Sequence, residues 1–142
     1  MSEVEKTTLL FVYGALMSGC ERGGFLDRGH KVRFLGSGIA RGHLYDLGEF
    51  VGLIETSDGT PVRGEVYEII DNETFFATLD VIEGFWPEQP ERSLYVRKQI
   101  SVQTEGGLVY AWAYLYNQPV NGFPIIASGD YRQRLTVVTS DQ

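Results

Sequence analysis

One cysteine and two histidines in 142 residues leave little from which to build a metal centre or a thiol nucleophile. With Cys20 alone, an intrachain disulfide is impossible, which fits a reducing compartment. Cys20, His30 and His43 show no metal-ligand spacing, so no zinc or iron site is expected. A Cys-His pair would need Cys20 activated by His30 or His43. Cys20 lies in a glycine-rich stretch with no motif around it, and an incidental thiol is the stronger reading. No G-x-S-x-G elbow supports a serine triad. The run from Tyr13 to Gly19 has neither the Walker A nor the dinucleotide glycine spacing. Positive charge is also scarce: 12 Lys and Arg against 19 Asp and Glu give a net charge of −7. That argues against nucleic acid as a partner. The densest basic group, Arg92, Arg97 and Lys98, is diluted by Glu88 and Glu91. Apolar runs are too short for a bilayer span. Met1 to Thr8 is polar and carries no signal-peptide core. The expectation is a cytoplasmic protein without a membrane partner.

What is plentiful is glycine, 17 residues, and aromatic side chains, with eight Phe, eight Tyr and two Trp. This composition favours strands and turns over a helical bundle, and the length suffices for one domain with a core. Thr7 to Tyr13 reads as a buried strand, followed by a loop from Gly14 to Gly24. Val32 to Leu47 holds two strand candidates broken at Gly36 and Gly38. Phe50 to Glu55 and Val62 to Ile70 read as strands, and Ser57-Asp58-Gly59 between them predicts a hairpin. Asp71-Asn72 caps a helix whose apolar stripe is Phe75, Phe76, Leu79 and Ile82. After a loop with Pro87 and Pro90, residues 94–104 alternate. Leu94, Val96, Ile100 and Val102 fall on one side, Tyr95, Arg97, Gln99, Ser101 and Gln103 on the other. Glu105-Gly106-Gly107 turns into a last strand, Leu108 to Tyr116, and Ser128-Gly129-Asp130 opens a short helix. The tail after Leu135 is expected to fray. About seven strands and one clear helix make an α+β fold whose curved antiparallel or mixed sheet could close into a small barrel.

By elimination the chemistry falls to a carboxylate. Glu83 leaves the predicted helix into Gly84. A negative charge at a helix C-terminus is unfavourable. That field, with partial burial, favours the protonated carboxyl and so strengthens it as a general base. The alternative is an ordinary solvated acid. Gly14, ending the first strand, either makes a simple turn or lets successive backbone N–H groups point into a cavity as an oxyanion or carboxylate site. Tyr95 and Arg97 are either a half-exposed surface pair or a pocket phenol with an arginine bracing nearby acids. Trp112 and Tyr116 read as core or pocket wall.

Several pieces occur in a telling order: strand-Tyr13-Gly14-x-Leu16, Gly42-His43-Leu44-Tyr45-Asp46-Leu47-Gly48, Val62-Arg63-Gly64-Glu65-Val66-Tyr67, Leu79-Asp80-x-x-Glu83-Gly84 and Tyr95-Val96-Arg97. Over residues 8 to 131 this resembles the γ-glutamylcyclotransferase-like family, which includes the AIG2-like and γ-glutamylamine cyclotransferase proteins. The resemblance implies a single domain over 1–142, a small β-barrel with flanking helices and a cavity at one end. It implies attack of the α-amine of a γ-glutamyl group on its own γ-carbonyl, giving 5-oxoproline and a free amine, with no cofactor or metal. Glu83 matches the family's catalytic glutamate. Tyr13, Gly14, Ala15 and Leu16 match its substrate-binding loop, and Tyr95 is the candidate pocket phenol. Two departures stand out. Ala15 replaces a hydroxyl-bearing residue of many relatives, and the loop from Gly84 to Ser93 is long. Phe85 and Trp86 in that loop either line the exit side of the pocket or pack on the barrel. The alternatives to cyclotransfer are a non-catalytic binding protein on the same fold, or hydrolysis of a γ-glutamyl amide by water. A monomer or weak homodimer is expected.

Overall fold

The computed structural model describes residues 8–17, 32–70 and 72–133. The expectations for Cys20, His30 and the tail after Leu135 fall outside these residues. The element order is β1 (Thr8–Val12), β2 (Val32–Asp46), β3 (Val51–Glu55), β4 (Thr60–Ile69), α1 (Asn72–Glu83), a 3-10 turn (Pro90–Arg92), β5 (Tyr95–Thr104) and β6 (Gly107–Tyr116).

Five strands close on themselves in the order β2-β4-β1-β6-β5 and back to β2. Closure is made by Gly38 and Ile39 of β2 pairing with Thr104 and Gln103 of β5. All pairings are antiparallel except β1 with β6, which meet in parallel at Leu10 and Trp112. The α+β assignment with a small mixed barrel is therefore correct. Phe11, Val62, Val66, Ile100, Val102, Ala111 and Ala113 belong to the buried core, with little or no exposure. A Cβ on Gly64 would lie 2.6 Å from the Phe11 ring, and one on Gly38 2.6 Å from Val102. The Phe11 ring thus occupies interior space that the bare glycines leave open.

Two local readings change. The expected pair of short strands over Val32 to Leu47 is one 15-residue strand. Gly36, at φ 135°, marks a register shift between Phe34 and Gly36 rather than a strand end; the extra residue bends β2, which pairs with β3, β4 and β5. The expected hairpin of β3 with β4 does not form. Ser57-Asp58-Gly59 does turn, but β3 pairs with one end of β2 and β4 with the other, Gly42 facing both Glu55 and Thr60. The turn crosses over β2 at Gly42. A Cβ on Gly59 would sit 2.5 Å from the Gly42 Cα, so only glycine permits the crossing. The true hairpin is β2 with β3, joined through Leu47 to Phe50.

Helix α1 covers the outer face of β5 and β6. Phe75, Phe76 and Leu79 are buried as the stripe predicts, but Ile82 is 41 % exposed and Asp80 is buried in its place. The reason is Arg97 of β5, which gives Asp80 a counterion. Tyr95, assigned to the polar side of its strand, is buried while Leu94 is exposed: the Tyr95 ring packs beside Phe50 and Tyr116, and its hydroxyl reaches β3.

Candidate active site

A cavity of about 270 Å³ opens where β1 ends, α1 ends and the β2–β3 connection passes. The structure brings all six candidate residues into its lining: Glu83, Tyr13, Gly14, Ala15, Leu16 and Tyr95. Glu49, Phe50, Val51, Ile82, Leu94, Tyr114 and Tyr131 join them, and the sequence reading missed these as pocket residues. They come from five separate stretches of chain with no shared motif, so local pattern gives no signal for them.

Glu83 is placed by the way α1 ends. The Gly84 N–H bonds to the Val81 carbonyl and the Phe85 N–H to the Asp80 carbonyl, while Gly84 adopts a left-handed φ of 72°. This is the Schellman arrangement, with Gly84 just past the helix and Glu83 as its C-cap. The Gly84 carbonyl then accepts the Leu94 N–H at 2.9 Å, tying the helix end to the start of β5. Glu83 is half-buried, and its charge reaches the phenols of both Tyr13 and Tyr114.

Opposite lies the turn Gly14–Met17, closed by the Met17 N–H on the Gly14 carbonyl at 3.0 Å. Closure uses neither the Ala15 nor the Leu16 amide. Gly14 is not in a left-handed conformation, so the sharp-turn rationale for it is replaced by a steric one. A Cβ there would come within 3.1 Å of Val51 on β3. Tyr13 itself is a tether. Its hydroxyl donates to the Tyr114 carbonyl and accepts the Leu53 N–H at 3.2 Å. Burial above all, with Tyr95 and Glu83 nearby, pushes its phenol well above the ordinary range. Tyr95 likewise spends its proton on the backbone, donating to the Val51 carbonyl at 2.6 Å.

Behind Glu83 stands a charged cluster. Asp80 takes two bonds from the Arg97 guanidinium, at 2.9 and 3.0 Å, and a third from the Tyr114 hydroxyl at 2.6 Å. Arg97 is stacked over the rings of Phe76, Trp112 and Phe85, at 4.6, 5.2 and 5.8 Å. Burial pulls the Arg97 guanidinium down, and the Asp80 bonds outweigh it, leaving the group above its ordinary value. The Tyr114 phenol is raised by burial first and by donation to Asp80 second. Of the two readings of Arg97, the acid brace is the one observed.

The loop from Gly84 to Ser93 is pinned rather than draped over the cavity. Ser93 Oγ accepts the Trp86 N–H at 2.7 Å, and Asn117 and Gln118 side chains donate to the Ser93 carbonyl. Phe85 packs against the core, Trp86 is 48 % exposed, and neither lines the cavity. Packing on the barrel is thus the correct alternative for Phe85. Among the described residues no group of three or more His, Cys, Asp or Glu could hold a metal ion, and no helix is long and apolar enough to cross a membrane.

The chain and its barrel have known counterparts. Residues 10–133 match the family model described as Gamma-glutamyl cyclotransferase, AIG2-like. The Gamma-glutamylcyclotransferase family protein YtfP of Escherichia coli (strain K12) is 36% identical over 126 residues, 88% of this chain and 96% of that protein. The Gamma-L-glutamyl-butirosin B gamma-glutamyl cyclotransferase of Niallia circulans is 30% identical over 115 residues, 77% of this chain and 67% of that protein. In structure, an AIG2-like protein of Mus musculus superposes with a TM-score of 0.69 at 21% identity, covering 85% of this chain and 86% of that one; this likeness speaks to the fold. The chain belongs to the AIG2-like γ-glutamyl cyclotransferase family, and its relatives make it an enzyme of the γ-glutamylcyclotransferase type.

Proposed function

We propose that this protein converts a γ-glutamyl amine or peptide into 5-oxoproline and the free amine, with Glu83 carrying the proton. The observation that supports this most is that Glu83 and the turn residues Gly14, Ala15 and Leu16 line one cavity. The substrate's α-nitrogen arrives mostly as an ammonium and must lose two protons to become the ring N–H. It gives one to solvent, and Glu83 takes the second as the neutral amine attacks the γ-carbon, forming the ring C–N bond. The same carboxyl returns that proton to the leaving nitrogen as the old C–N bond breaks. The released amine takes up a proton from solvent, so atoms and charge balance without a cofactor.

Closing a five-membered ring is favoured once the chain is folded into shape, so the cavity's task is mainly conformational. The Ala15 and Leu16 amides, left over by the turn, hold the α-carboxylate or the developing oxyanion. Phe50, Ile82 and Leu94, each 37–41 % exposed, form the cavity's apolar rim. A cavity of about 270 Å³ has room for a glutamyl group, and in this reading the departing amine lies at the rim. One relative is named for the bulky substrate γ-L-glutamyl-butirosin B, which accords with a leaving group that extends outward.

The test is 5-oxoproline release from γ-glutamyl dipeptides and γ-glutamyl alkylamides, scored beside free glutamate. 5-Oxoproline from the wild type supports cyclotransfer. Glutamate in its place assigns hydrolysis, and neither product assigns a binding role.

A further inference from the structure

We infer that Asp80, Arg97 and Tyr114 are positioning residues for Glu83, locking the last turn of α1 onto β5 and β6 and neutralising the Arg97 charge that would otherwise bear on the base. The inference rests on Glu83 as the proton carrier.

The geometry carries it in two ways. Asp80 precedes Glu83 by three residues, so the two carboxylates lie on one face of α1, about one turn apart. Asp80 is 7 % exposed and receives three hydrogen bonds, two from β5 and one from β6. Its backbone carbonyl also accepts the Phe85 N–H that ends the helix. The residue that closes α1 is therefore the residue that anchors it, and Glu83 sits between those two bonds. From Tyr114 the chain of contacts continues: its carbonyl holds the Tyr13 hydroxyl, which holds the Leu53 amide. Tyr13 immediately precedes the turn that lines the cavity together with Glu83. One network thus sets the distance between the base and the backbone amides across the cavity.

The second effect is electrostatic. Arg97 and Glu83 both act on the Tyr114 phenol, so each lies within range of the same point. With Asp80 in place, Arg97 is one half of a neutral pair. Without it, a cation shielded from water by Phe76, Trp112 and Phe85 would favour the ionised carboxylate and weaken the base. The other ionisable groups lining the cavity are Glu49 from the β2–β3 connection, Tyr13 from β1, Tyr95 from β5, Tyr114 from β6 and Tyr131.

The experiment follows 5-oxoproline release from γ-glutamyl-alanine and γ-glutamyl-butylamide against pH. Wild type is compared with Asp80→Asn, Arg97→Met, Arg97→Lys, Tyr114→Phe and Glu83→Gln, each checked for folding by circular dichroism. Profiles are repeated in a Glu49→Gln background, so that any limb remaining there does not come from Glu49. Asp80→Asn is expected to lower kcat about 10- to 100-fold with KM little changed, and to move the acidic limb of kcat/KM down by about one pH unit. Arg97→Met is expected to move that limb up, because Asp80 is then uncompensated, and Arg97→Lys to restore most of the wild-type profile. Tyr114→Phe should lower kcat without moving the limb. A merely structural brace would change the amount of folded enzyme and leave both limbs in place. Folded Asp80→Asn and Tyr114→Phe enzymes with wild-type kcat and limbs, beside an inactive Glu83→Gln, overturn the positioning role alone. An active Glu83→Gln, or no release by the wild type, overturns the underlying reading as well.

Discussion

Asp80 and Arg97, seventeen residues apart in sequence, meet through two near-equal hydrogen bonds of 2.9 and 3.0 Å. This fork joins the helix that ends in Glu83 to the strand that begins with Tyr95. Both side chains are largely enclosed, at 10 % and 21 % exposure for Asp80 and Arg97. Truncating one partner leaves the other uncompensated, at a cost of about 3 kcal/mol. Arg97→Met should lose stability on that scale in urea unfolding, and Arg97→Lys distinctly less. Equal stability of Arg97→Met and wild type would show that the pair adds nothing to the fold.

Gly84 is the second point of leverage. Its φ of 72° is one that a side chain resists, and a Cβ there would stand 3.3 Å from the Leu94 Cβ. Gly84→Ala should destabilise the protein by about 1–2 kcal/mol. It should also cut kcat, because Glu83 is the residue that the Schellman bonds fix. Unfolding midpoints and steady-state rates on the same preparation check both halves.

The turn at Gly14 allows one backbone amide to be removed by a substitution that the turn's geometry accepts. Ala15 occupies the second position of that turn, where proline fits. Ala15→Pro deletes one N–H and should lower kcat about 10²- to 10³-fold if that amide holds the oxyanion. Ala15→Ser, which keeps the amide, should stay within a few-fold of wild type. Comparable kcat/KM for all three proteins would mean that the Ala15 amide does not contact the reacting group.

The raised phenols of Tyr13 and Tyr114 predict an alkaline limit. In the unfolded chain a tyrosine loses its proton near its ordinary value of 10.0, whereas the folded protein keeps both protons above that pH. The folded state then binds more protons than the unfolded one, so stability falls as pH rises through this region. Each phenol contributes a slope of about 1.4 kcal/mol per pH unit. Denaturant midpoints should drop steeply above pH 10, and Tyr114→Phe should flatten the drop by about half. Tyrosinate absorbance from these two residues should appear only with unfolding.

Where the sequence could be read, it was through local signals. Strand β1, the turn at 57–59, the run of α1 up to Glu83 and the long β5–β6 hairpin each carry their own periodicity and breakers. The errors lie where a distant partner decides. Nothing around Gly42 and Gly59 indicates that a turn will cross a third strand, because the cue is the absence of two side chains that would collide. Ile82 reads as a core residue of the stripe, and nothing local marks Asp80 for burial; Arg97 is the partner that buries Asp80. The same holds for the site. Glu83 and the Tyr13 to Leu16 run were legible as motifs. Phe50, Leu94 and Tyr131 reach the cavity only because the barrel closes.

The central claim is that Glu83 moves the proton in cyclisation, and its most direct test is 5-oxoproline release by wild type and Glu83→Gln. Wild-type release with a loss of about 10²- to 10⁴-fold in the variant is the predicted result. Equal release by two folded proteins would contradict the account and move the base elsewhere in the cavity.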